Sequence, residues 1–195
     1  MFVRTKLTVT AEVAGVKYTG HSVQEFSVER GGDLWSVGFF LRSVNAQAVV
    51  VDLPGTAALA VLVDDHRGSR NPLLSTVLSC APPEADDFDD WWQFLAGFKG
   101  PCKLDPTSVP LTVLVPNVAS YEGLEVIWQQ QTETDGIKLV SATLERSQEP
   151  LTAEASATFP WVTDGTFPEP YMLLPAGTQM VTVNRTQFQQ FGRRR

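Results

Sequence analysis

The chain has 195 residues, of which 43% are hydrophobic, and its 11 Phe, 5 Trp and 3 Tyr can supply a sizeable core without disulfide stapling. A formal net charge of -7, from 15 Lys plus Arg against 22 Asp plus Glu, excludes general binding to nucleic acid or anionic membranes as the main role. The longest apolar run, Ala57 to Val63, is far too short to cross a bilayer as a helix, and Met1-Phe2-Val3-Arg4-Thr5-Lys6 does not read as a secretory signal.

The opening segment alternates: Val3, Thr5, Leu7 and Val9 share one face, and Arg4, Lys6, Thr8 and Thr10 the other, as in a half-buried strand. Ala14-Gly15 reads as a turn into Val16-Lys17-Tyr18, so residues 2–19 are expected to form a hairpin. A further strand covers Val23 to Arg30 and is broken by Gly31-Gly32-Asp33; Leu34 to Arg42 resumes with Trp35, Val37, Phe39 and Leu41 on one parity. Val49 to Leu53 and Ala57 to Val63 follow as strands around Pro54-Gly55, while Leu73 to Leu78 reads equally as helix or strand.

Pro82-Pro83 and the acidic run Glu84, Asp86, Asp87, Asp89 and Asp90 precede Phe88, Trp91, Trp92, Leu95 and Phe98, which recur at helical spacing. This predicts one helix near 87–97, capped by Asp86 or Asp87 and ended by Gly97 and Gly100-Pro101. Strands return at Leu111 to Val115, Leu124 to Gln129 and Ile137 to Glu145, the last two joined as a hairpin through Thr134-Asp135-Gly136. From Pro150 to Pro170 the chain reads as loop, with Phe159, Trp161 and Phe167 packing it against something, and Tyr171 to Leu174 with Gln179 to Asn184 forms a late hairpin.

Little here has the spacing of catalysis. Asp64-Asp65-His66 sets an acid beside a base, but adjacent residues do not face one another, and His21 has no evident partner. The acidic run lacks the alternate ligands and glycine of a calcium loop; Asp86 and Asp90 sharing a helical face either form a weak cation site or, the favoured reading, serve capping and solubility, so no metal is expected. Two cysteines and two histidines make no zinc pattern, and no phosphate-binding glycine loop is present, so no cofactor is expected either. Cys80 and Cys102 either pair across the Trp-rich segment or, the favoured reading, stay reduced as structural thiols. Asn184-Arg185-Thr186 fits a glycosylation acceptor that matters only on secretion, and Arg193-Arg194-Arg195 either touches a phosphate or a neighbouring acidic subunit or, the favoured reading, is a solvated terminus. Trp91 and Trp92 point about 100° apart on a helix, so one stripe does not bury both equally: either one sits in the core and the other anchors a partner, or the loops on either side enclose both.

The order Leu111-Thr112-Val113-Leu114-Val115, Pro116-Asn117, Tyr121-Glu122-Gly123-Leu124-Glu125-Val126, Asp135-Gly136-Ile137-Lys138-Leu139 and Ser141-Ala142-Thr143-Leu144-Glu145-Arg146 resembles structural proteins of bacteriophage tail tips and baseplates, particularly distal-tail-like proteins. Val16-Lys17-Tyr18-Thr19-Gly20, Phe26-Ser27-Val28-Glu29-Arg30 and Val37-Gly38-Phe39-Phe40-Leu41 are similar to the start of baseplate and hub components. The resemblance implies a non-enzymatic virion protein that forms a homo-oligomeric ring, contacts tail-tube, hub or baseplate neighbours, assembles in the host cytoplasm and ends at the tail tip, with no specific nucleic acid and no membrane insertion.

The expected fold is mainly β, a β-sandwich or β-barrel core with one short amphipathic helix and a long C-terminal loop region. Residues 1–149 form the β-rich core with a helical insertion near 84–100, and residues 150–195 an extended segment with a possible hairpin. Phe88, Trp91, Trp92 and Trp161 are the candidate partner-binding residues. The rival reading is a carbohydrate- or protein-binding β-sandwich using aromatics of residues 88–98 or 159–171; a hydrolase ranks lower.

Overall fold

The computed structural model describes residues 1–33, 36–63, 72–105, 108–127, 133–134, 136–167, 171–173, 181–183 and 188–193. Their strands are β1 (Phe2–Val13), β2 (Val16–Asp33), β3 (Ser36–Gln47), β4 (Val49–Asp52), β5 (Ala58–Val61), β6 (Cys102–Lys103), β7 (Thr112–Val115), β8 (Glu125–Ile127), β9 (Glu133–Thr134), β10 (Ile137–Arg146), β11 (Tyr171–Leu173), β12 (Val181–Val183) and β13 (Gln189–Arg193). The helices are α1 (Pro72–Leu78), α2 (Phe88–Gly97), α3 (Glu154–Thr158) and α4 (Pro160–Thr163). The molecule is mainly β, with two principal sheets and a few short helices.

The first sheet runs β13-β3-β2-β1-β10-β6, with β9 paired to β10, and its pairings are antiparallel. β1 behaves as its alternation requires: Val3, Thr5, Leu7, Val9 and Ala11 are buried, and the residues between them are not. Ala14 and Gly15 take φ of 50° and 81°, the two positive values that a two-residue hairpin turn needs. The hairpin is longer than residues 2–19, because β2 continues in register until Ser27 faces Phe2. Gly31-Gly32-Asp33 does not interrupt it: these residues pair with Gly38, Val37 and Ser36. Among the described residues β2 has no strand on its β1 side beyond Val28, whose N–H donates to the Met1 carbonyl at 2.9 Å. The ribbon of Glu29–Asp33 with Ser36–Phe40 therefore runs out past the end of β1.

The second sheet, β4-β5-β7-β8, is built from runs that are buried almost throughout: Val49, Val50 and Val51; Ala58 to Val61; Thr112 to Val115. Uniformly apolar strands are those covered on both faces. One face gives Val49, Val51, Leu59, Val61 and Leu114 to a core shared with Val3, Leu7, Phe26 and Leu144 of the first sheet. The other gives Ala48, Val50, Ala58, Ala60 and Val113 to a second core closed by Phe159, Trp161, Phe167 and Phe188. Small residues on the sheet make room for the large rings above them.

At Ala48 the chain leaves the first sheet for the second, and the broken ladder is repaired by polar side chains. Ser22 Oγ and Gln24 Nε2 both donate to the Gln47 carbonyl, at 2.8 and 3.2 Å. The Val23 N–H donates to Thr152 Oγ1 at 3.1 Å, and Ser156 N–H donates to Gln47 Oε1 at 3.1 Å. Nearby, Gly20 passes so close to β4 that a Cβ there would overlap the Val50 carbonyl oxygen. The connection after β10 is held on the first sheet by Lys6 Nζ, which donates to Glu149 Oε1 at 2.8 Å and lowers that carboxyl from its usual range.

Three expectations are corrected. Residues 150–170 are not simply loop, because α3 and α4 lie there, and Pro160 begins α4 at a first-turn position that needs no N–H. Residues 72–78 are helix, so α2 is not alone. β10 does not make its hairpin with β8, which belongs to the other sheet; it pairs with the short β9 across Gly136. The late hairpin is present as β11 and β12. Within the C-terminal segment, β13 also joins the edge of the first sheet beside β3.

Candidate interaction surface

α2 begins where the sequence places it. Asp87 accepts a hydrogen bond from the Asp90 N–H at 2.8 Å, and Asp89 and Asp90 stand in the first turn, where the helix dipole favours negative charge. Leu95 is fully buried and Phe98 nearly so, and together they fix the inner side of the segment. Arg146, at the end of β10, grips it from below. Its Nη1 donates to the Leu95 carbonyl at 3.3 Å, and its backbone N–H to the Lys99 carbonyl at 2.8 Å.

α2 carries three of the four candidate anchors. Phe88 stacks on Trp92 with centroids 6.2 Å apart, and the Arg30 guanidinium lies 5.0 Å from the Phe88 centroid. Arg30 also pairs with Asp89 at 2.8 Å, so α2 is bound to the base of the projecting ribbon. Trp92 is half-buried against the main core. Trp91 is the more exposed, at 36%, and its indole N–H is fixed by the Ala85 carbonyl at 2.7 Å. The divergence expected of adjacent helical tryptophans is thus observed: one leans inward and the other faces solvent.

Trp161 does not belong to this surface and is corrected as an anchor. It is 2% exposed, lies 5.0 to 5.3 Å by ring centroid from Phe188, Phe159 and Phe167, and donates its indole N–H to the Val118 carbonyl at 3.0 Å. The second core has consumed it.

Beside α2 opens a groove of about 510 Å³, lined by Phe94, Phe98, Lys99 and Pro101 and by Cys80 and Cys102. The two cysteines are joined in a disulfide with Cα atoms 5.9 Å apart, which corrects the reading of reduced thiols. Near Cys102, Gly100 is seated tightly on β10: at φ 74° a Cβ would stand 2.6 Å from the Glu145 Cα. Sequence gave no means of seeing Arg30, Arg146 or the Ala85 carbonyl as parts of this surface, since each arrives from a distant strand or a loop.

The carboxylate oxygens of Asp86, Asp87 and Asp90 lie within 4.8 Å of one another at the surface, with Asp87 already engaged in capping. His21 lies on β2 opposite Thr8, exposed. Asp64, Asp65, His66, Asn184, Arg194 and Arg195 fall outside the described residues. No described helix is long and apolar enough to cross a membrane. Compared with protein-family models, curated proteins and solved structures, the chain matches none.

Proposed function

We propose that this chain is a structural component of a phage tail tip or baseplate, acting by assembly rather than catalysis. In this reading the two sheets close as a β-sandwich, copies of the chain form a ring, and the ring joins neighbouring tail-tube, hub or baseplate proteins. It assembles in the host cytoplasm and needs no cofactor. The observation that carries the proposal is the β2–β3 ribbon. Among the described residues, the backbone ladder of Arg30–Asp33 runs to Ser36–Phe39, and no described strand pairs with either outer edge of that ribbon. A two-stranded ribbon is marginal in water, and exposed strand edges recruit further strands. A ring requires one surface to meet a different one around an axis; ribbon and Trp91 face supply two candidates.

The test is electron microscopy of intact particles carrying a label on this chain, with native mass spectrometry of the purified protein. Label at the tail tip and a cyclic oligomer are expected. Unlabelled particles together with a monomer at high concentration would reject the proposal. A carbohydrate- or protein-binding sandwich would then stand first, on the partly exposed Trp91 and on the groove lined by Phe94 and Phe98, and glycan and peptide arrays would separate its two forms.

A further inference from the structure

We propose that the Cys80–Cys102 disulfide is an exchangeable latch on α2, opened by low-molecular-weight thiols while the sheets stay folded. It extends beyond the assembly role and holds for the isolated chain.

Access is the first observation. Both cysteines are half-buried and line the groove, whose volume of about 510 Å³ lies within the roughly 300–1,000 Å³ that admits small organic molecules. Exchange requires a thiolate to reach a disulfide sulfur, and an enclosed bond forbids this. What the bond ties is the second observation. Cys80 follows α1, whose Val77 is buried in the main core, and Cys102 sits on β6, which pairs with β10 through two residues only. The 22-residue separation between the cysteines contains all of α2. Without the bond α2 keeps the buried Leu95 and Phe98, the packing of Trp92 and Phe94 on the main core, the Arg146 contacts and the exposed Arg30–Asp89 pair. The sheets keep their complete ladders. With the bond cut, the loop carrying α2 is held by fewer ties than the sheets and opens ahead of them, because local openings follow the less-anchored unit.

The chemistry balances. A thiolate of the monothiol attacks one cysteine sulfur, the Cys80–Cys102 bond breaks, and the other cysteine leaves as thiolate and takes up a proton. A second monothiol attacks the mixed disulfide. The protein ends with two thiols, and the two monothiols end as their own disulfide.

The experiment places the full chain, without denaturant, in reduced and oxidised glutathione at graded ratios. Thiols are trapped by alkylation and counted by mass, while far-ultraviolet circular dichroism follows the sheets and limited chymotrypsin digestion follows Phe88–Phe98. The dithiol form is expected to accumulate with the β spectrum retained. Cleavage within residues 81–101 should accelerate roughly three-hundredfold, the ratio that loop-closure entropy assigns to a loop of this length when cleavage tracks the open population. Cys80→Ser and Cys102→Ser should be cut at the fast rate in every buffer. A disulfide that persists until denaturant is added, a reduced chain cut at the oxidised rate, or reduction that abolishes the β spectrum would each overturn the proposal.

Discussion

Two aromatic groups of nearly the same composition have opposite fates in this fold. Phe159, Trp161, Phe167 and Phe188 are all buried, whereas Phe88, Trp91, Trp92 and Phe94 are half-buried or exposed around a single buried leucine, Leu95. The difference lies in what each group faces. The first lies over Ala48, Ala58 and Ala60 of a sheet whose outward side would otherwise be bare. The second lies beside the two-residue β6 and the base of a ribbon, which offer little to cover it. Aromatic density marks a place where apolar area must be managed. The opposing surface decides whether that place becomes core or contact.

The largest expected effect breaks the buried group. Trp161→Ala empties the centre of the second core and removes the bond to Val118, and should cost about 3–5 kcal/mol in denaturant unfolding. A loss below about 1 kcal/mol would mean that the C-terminal layer is not fastened to the second sheet. Leu95→Ala follows, at about 3 kcal/mol, because Leu95 is fully buried in the main core. Measured side by side, the pair asks whether one leucine anchors α2 nearly as firmly as a tryptophan anchors α4.

Trp91→Ala should behave differently from both. It removes a partly exposed ring and one hydrogen bond to a backbone carbonyl, so stability should fall by only about 1 kcal/mol. If Trp91 anchors a partner, association of the assembled form should weaken by about 2 kcal/mol or more. Thermal denaturation and native mass spectrometry on the same preparation separate the two. A stability loss as large as that of Trp161→Ala would remove the contrast between the groups.

The sequence made some of this legible where local pattern and tertiary outcome agree. The alternation of β1, the positive-φ turn at Ala14-Gly15 and the acidic cap of α2 are each set by neighbours in the chain. Other features were hidden because their causes are remote. The pairing of Gly31-Gly32 depends on Gly38 and Val37 across the ribbon, not on strand preference. β8 looks like the hairpin partner of β10 until the second sheet claims it through β7. The candidate surface is half legible: helical spacing groups Phe88, Trp91 and Trp92, whereas nothing local to Trp161 shows that it is buried. Its burial depends on alanines about a hundred positions earlier.

The smallest expected effect tests the buried layer at its charged edge. Glu154 opens α3 and is half-buried. Burial raises its pKa above the ordinary glutamate value, Asp52 adds to the rise, and His21 opposes it. A carboxyl whose folded pKa lies above its unfolded one binds protons more readily in the native state. Its contribution to stability is therefore fully present below the unfolded pKa and is lost as pH rises through the folded one. Glu154→Gln stays neutral throughout and should remove that pH-dependent loss. The variant should match the wild type at the acid end, near pH 4, and exceed it slightly at neutral pH, since a group largely in water is well screened. Urea midpoints compared from about pH 4 to pH 8 give the answer. A difference that does not change with pH would show that α3 holds Glu154 as it would be held in the unfolded chain, and that the edge of the buried layer is open to water.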